Sequence, residues 1–113
     1  MTVIIAGSRR VHDAEIVAKA VASSGFGPIT AIFSGCSRGI DLAGEEWANS
    51  QAIPIIHMPY VGHLGKAGGP VRNQQMVDFA DALLALPDAL SRGTLDIIKA
   101  AEKRRILVYV YAL

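Results

Sequence analysis

Four short segments of this 113-residue chain set one arginine among Gly, Ser or Thr: Ala6-Gly7-Ser8-Arg9, Ser34-Gly35-Cys36-Ser37-Arg38-Gly39, Gly68-Gly69-Pro70-Val71-Arg72-Asn73 and Ser91-Arg92-Gly93-Thr94. Glycine lets the backbone come close to a ligand, hydroxyls donate to oxygen, and a guanidinium offers phosphate a planar fork of donors. Each loop leaves an apolar stretch and leads into a helix-like segment. In a parallel α/β sheet all strand-to-helix loops emerge at the carboxyl ends of the strands, so the four arginines are expected to meet at one edge. Free backbone N–H groups at the helix starts would add to the attraction for an anion. The chemistry these residues suit is the holding of phosphate.

Other chemistries are poorly supplied. No G-x-G-x-x-G follows the first apolar run, and Ser34 rather than an acid ends the second, which argues against a standard dinucleotide site. No G-x-x-x-x-G-K-[ST] is present, which excludes a Walker-type ATPase. His12, His57 and His63 show no metal-ligand spacing with Cys36, so no metal is assigned and no cofactor is expected. Cys36 precedes a helix start, where a thiol pKa can fall, but no partner base is identifiable and a packed or ligand-adjacent thiol is expected. Asp41, in the first turn of the second helix, suits the helix dipole as well as it suits a ribose. Asn73 suits a base or ribose contact as well as a brace for its loop. Glu45 and Glu46 are the other acids near that turn. Tyr60, His63 and Lys66 lie on a long loop, either a lid over the ligand or a plain surface excursion.

The elements that must position these groups follow from periodicity. Val3 to Ala6 is a continuous apolar run, as in a strand covered on both faces. Asp13 is a plausible N-cap for a helix with Ile16, Val17, Ala20 and Val21 at helical spacing, ending near Ser24-Gly25. Ile29 to Phe33 reads as the second strand and Gly39 to Ala52 as the second helix. Ile53 to Met58 is the third strand, at an edge because of Pro54. Pro59 to Gly69 reads as irregular. Pro70 suits the first turn of a third helix bearing Met76, Val77 and Phe79. Asp81 to Leu86, Thr94 to Arg104 and Ile106 to Tyr111 complete the alternation as strand, helix and strand. The expectation is one α/β domain over residues 1–113, a Rossmann-like three-layer sandwich. Its sheet should be five-stranded, mainly parallel and ordered 3-2-1-4-5, with binding where the order reverses.

Composition bounds the partners. Half of the residues are hydrophobic, 19% are charged and the formal net charge is +1. A globular chain follows, and a duplex-binding surface, which needs a strong basic excess, is disfavoured. A single cysteine excludes an internal disulfide and fits a reducing compartment. With no membrane-length apolar run and no signal-peptide pattern at the start, a cytoplasmic chain is expected. Apolar helix positions Trp47, Met76 and Phe79 suggest a homo-oligomer, although Trp47 also suits a core.

Taken together, Gly7-Ser8-Arg9, Ser34-Gly-x-x-x-Gly39-x-Asp41, Gly69-Pro-x-Arg72-Asn73-x-x-Met76 and Ser91-x-Gly93-Thr94 resemble the YspA/YpsA-related branch of the SLOG superfamily, over Thr2 to Val110. The resemblance implies a Rossmann-like fold that binds nucleotides or nucleotide-derived ligands. The superfamily includes the LONELY GUY phosphoribohydrolases and the DprA DNA-processing proteins. By this resemblance Arg72 matches the arginine that contacts substrate and assists cleavage, and Gly93-Thr94 match the end of a phosphate loop. The chain departs from the hydrolase pattern where its glutamate should stand, at Ile97, with Asp96 one residue earlier and turned about 100° away on a helix.

The leading expectation is a binding module for a nucleotide or nucleotide-derived signal. Its contacts would be Gly7, Ser8, Arg9, Ser34, Gly35, Arg38, Gly39, Asp41, Arg72, Asn73, Ser91, Arg92, Gly93 and Thr94. The alternative is a phosphoribohydrolase cleaving an N-glycosidic bond, with Arg72 holding substrate and Glu46, Asp41 or Asp96 as the acid. Single-stranded DNA binding is the weakest, since no aromatic run accompanies the arginines.

Overall fold

β1 (Thr2–Gly7) and β4 (Ala82–Leu86) form the middle of the molecule, and their side chains explain why. In the computed structural model, which describes all 113 residues, Val3, Ile5, Ala82, Leu84 and Leu86 join one core, and Ile4, Ala6, Leu83 and Ala85 another. Successive strand residues face opposite ways, so a run without polar breaks is what a strand covered on both faces requires. Fully burying a residue such as Ile5 or Leu84 contributes about 1.5–3 kcal/mol relative to exposure.

The sheet is five-stranded and wholly parallel, ordered β3-β2-β1-β4-β5, with β2 at Ala31–Ser34, β3 at Ile55–His57 and β5 at Leu107–Val110. Helices α1 (Ala14–Ser24) and α2 (Ile40–Ser50) cover one face through Val17, Ala20, Ala43 and Trp47. Helices α3 (Gly68–Phe79) and α4 (Arg92–Arg104) cover the other through Met76, Val77, Ile97 and Ala101. This is the expected Rossmann-like α/β sandwich, with β3 at an edge as Pro54 suggested.

Local signals are used where they occur. The Asp13 carboxylate accepts from the amides of Glu15 (2.9 Å) and Ile16 (3.4 Å), capping α1, which ends at Gly25. Boundaries shift where composition misleads. The stretch expected to be irregular holds a 3₁₀ segment at Gly62–Ala67 running into α3, which therefore starts at Gly68 with Pro70 inside its first turn. Its glycines concealed the helix, because glycine is a poor helix former. β2 starts at Ala31 rather than Ile29, and α4 at Arg92 rather than Thr94. Of the three residues proposed for subunit contact, Trp47 and Met76 lie in the cores, and Phe79 alone is at the surface, 72% exposed. No helix is long and apolar enough to cross a membrane.

β1 is the strand at which the order reverses. The loops leaving β1 and β4 run to helices on opposite faces, and a crevice opens between them at the carboxyl ends.

Candidate functional site

The crevice is held open by a knot of hydrogen bonds at its base. Where β1 ends, the Ser8 amide donates to the Leu86 carbonyl (2.9 Å), and the Ser8 carbonyl accepts from the Ile40 amide (2.9 Å). One buried residue thus ties β1 to β4 and to the start of α2. The Ser8 hydroxyl donates to Asp88, which also pairs with Arg10 and accepts from the Leu90 amide (2.8 Å) and the Ser91 hydroxyl (2.9 Å). The Ser8 hydroxyl above all, then the Leu90 amide, hold the Asp88 carboxyl well below the usual carboxylate range. Asp88 therefore stays ionised and offsets Arg10. Because the knot uses the Ser91 hydroxyl, no side chain caps α4, and the Gly93 and Thr94 amides in its first turn have no partner in the protein. Such groups, at the positive end of a helix dipole, attract anions.

Arg72 reaches the crevice from α3. It is 8% exposed, yet no carboxylate lies within salt-bridge distance of its guanidinium. Its Nε donates to Asn73 Oδ1 (2.9 Å) and its Nη1 to the Gly35 carbonyl (2.6 Å). Asn73 is fastened in turn to Asp96 Oδ2 (2.9 Å) and the Gly93 carbonyl (3.4 Å) on α4. Nη2 makes no hydrogen bond in the protein, and no buried side-chain polar atom lacks a partner, so Nη2 opens to solvent. The Thr94 hydroxyl, on a residue 5% exposed, is open for the same reason. Gly35 is needed for this arrangement, because a β-carbon there would overlap the Arg72 guanidinium and the Asp41 carboxylate.

These groups line a cleft of about 440 Å³, within the ordinary range for small-molecule sites. Arg9, Arg38, Arg72 and Arg92 line it with no ion pair, and Arg10 lines it already neutralised by Asp88. Apolar lining comes from Ala6, Met76, Leu90 and Ile97. Asp41 is the one carboxylate in the lining. Its Oδ2 accepts from the Ser37 amide (3.1 Å). Burial pushes its carboxyl up to about 6, against the lowering pull of that amide and of Arg72.

This shift predicts a pH effect on stability. The folded value lies above that of an unfolded aspartate, ~3.9, so the folded state binds the proton more tightly. The penalty is absent below about pH 4, grows as pH rises to 6 and is complete above that. Asp41→Asn is therefore expected to be more stable than the wild-type chain at pH 8, by up to about 3 kcal/mol. Thermal denaturation at pH 8 and pH 4 checks this, since the difference should vanish at the lower pH.

Among the residues expected in the site, Gly7, Arg9, Arg38, Asp41, Arg72, Asn73, Ser91, Arg92, Gly93 and Thr94 line the cleft. Ser8, Ser34, Gly35 and Gly39 are not in the lining: Ser8 joins β1, β4 and α2, Gly35 lies against Arg72 and Asp41, and Gly39 lies against the Ser8 carbonyl and the Arg9 backbone. The buried Ser34 hydroxyl donates to Glu45 Oε2 (2.6 Å), whose other oxygen meets His57 Nε2 (3.0 Å). Glu46, expected as an acid, lies outside the lining and pairs at the surface with His12 (3.1 Å). Asp96 and Asn73 brace Arg72. At Cys36, burial and then Glu45 push the thiol up, so the residue is no activated thiolate. Arg10, Ser37 and Asp88 were missed. The signal for Asp88 was its place in Pro87-Asp88-x-x-Ser91, where an aspartate turns back onto nearby amides.

Comparison with protein-family models, curated proteins and solved structures finds no match.

Proposed function

We propose that this chain binds a nucleotide or nucleotide-derived signal in the cleft, as a sensor or sequestering module, and belongs to the YspA/YpsA-related SLOG branch its motifs resemble. The observation that carries the reading is Arg72, a buried guanidinium without an acid partner whose free donors open beside the uncapped start of α4. Arg9, Arg38 and Arg92 add three further unpaired charges. Ala6, Met76, Leu90 and Ile97 offer apolar surface to the nucleoside. Calorimetry against nucleoside mono- and diphosphates, ADP-ribose and cyclic dinucleotides tests it. At least one should bind with Kd below ~1 mM, about −4 kcal/mol, and no such binding across the panel overturns the reading.

Asp41 favours a second reading. A phosphoribohydrolase needs a carboxyl near the glycosidic carbon, and Asp41 is the only one in the lining. Release of free base from a nucleoside monophosphate, lost in Arg72→Ala, would establish turnover. Single-stranded DNA binding is disfavoured because the lining contains no aromatic residue.

A further inference from the structure

We propose that Asp41 is a proton-coupled ligand contact: when a phosphate dianion enters the cleft, the carboxylate takes a proton from solvent and donates it, as O–H, to a ligand oxygen. The proposal rests on the anion-binding reading above and goes on to state which protonation state of the cleft the ligand selects.

The geometry carries it. Asp41 stands in the first turn of α2, 7% exposed, in the same lining as Arg72 and Thr94. Its Oδ2 is engaged by the Ser37 amide, while Oδ1 makes no hydrogen bond within the protein. Since no buried side-chain polar atom lacks a partner, Oδ1 is accessible from the cleft. A phosphate held by Arg72 and the α4 amides presents only acceptor oxygens. An ionised Oδ1 repels them, whereas a protonated one bonds to them.

The surrounding charges decide which form prevails. Arg72 from α3 and Arg9 from the β1–α1 loop support the ionised carboxyl, and Glu45 on α2 opposes it. Cys36 and Arg38 lie on the β2–α2 loop beside it, and Arg92 and the Asp88-paired Arg10 line the same cleft. Arginines stay charged throughout the accessible pH range. A dianion placed among them cancels the support they give to ionised Asp41 and adds repulsion of its own. The carboxyl already titrates near 6 in the free protein, so a modest further rise carries it past neutrality.

Isothermal titration calorimetry at pH 7.5, in buffers of different ionisation enthalpy, tests this with 5′-AMP and with sulfate. At that pH the monoester is almost fully dianionic, its second pKa being about 6, and sulfate carries no titratable proton. The expected result is uptake of about half a proton per ligand bound at pH 7.5, with affinity about twofold lower at pH 8.5 than at pH 7.5. Asp41→Asn should show no uptake and a flat profile over the same interval. Binding by the wild-type chain without uptake, or equal uptake in Asp41→Asn, overturns the proposal and leaves the anion site standing. Absence of heat from both ligands overturns the proposal; absence across the wider nucleotide panel removes the underlying reading.

Discussion

On the proposed reading, an Arg72→Ala chain is expected to bind a nucleotide ligand roughly 30- to 150-fold more weakly than the wild type, a loss of about 2–3 kcal/mol. Hydrogen bonds from a charged donor to phosphate are among the stronger polar contacts, and this donor is both buried and pre-positioned. Asn73 and the Gly35 carbonyl fix two of its nitrogens, so little side-chain freedom remains to be lost when ligand arrives. Arg72→Lys should recover only a small part of the affinity, because an ammonium keeps the charge but not the planar fork. Titration calorimetry of both variants with the same ligand makes the measurement. An affinity for Arg72→Ala within threefold of wild type would show that the guanidinium serves the fold alone.

The second large effect concerns Gly39, and it is one of stability. Its backbone sits at φ +83° and ψ −128°, a region essentially closed to residues with a side chain. A β-carbon there would also overlap the Ser8 carbonyl and the Arg9 backbone. Neither is a flexible group that can swing aside. Gly39→Ala is expected to cost about 3 kcal/mol or more and to lower Tm by roughly 10–20 °C. Gly25 provides the control. It also has positive φ, +72°, but a β-carbon there would meet nothing within 4 Å, so Gly25→Ala should cost only about 1 kcal/mol. Thermal melts of the two variants separate local backbone preference from the collision beneath the cleft.

The strand order and the gathering of the arginines were legible in the sequence. The apolar run Val3–Ala6 reads as a strand covered on both faces, Asp81–Leu86 reads as the fourth strand, and Pro54 marks β3 as an edge. Parallel topology then sends Arg9, Arg38 and Arg92 to the same end. What was illegible depends on angle and on distance along the chain. Asp41 and Glu46 are five residues apart on α2, about 140° around its axis, whereas Asp41 and Glu45 are separated by about 40°. Asp41 therefore faces the cleft while Glu46 turns away to His12. The local pattern around Asp88 reports its turn onto the Leu90 amide and Ser91 but not its meeting with Ser8 and Arg10, 80 and 78 residues earlier. The choice for Asn73 between ligand and brace depended on Arg72 and Asp96 both lying within hydrogen-bond reach.

The pairing of β1 with β4 sets a timetable for synthesis. β1 finds its inner neighbour only after residues 82–86 have been made, with Val3 opposite Ala82 and Gly7 opposite Leu86. Until then a nascent chain holding β1, β2 and β3 presents a bare edge on a largely apolar strand, the kind of surface that invites aggregation or chaperone capture. The arginine-lined cleft, built from both of those strands' loops, is thus among the last features to come into being.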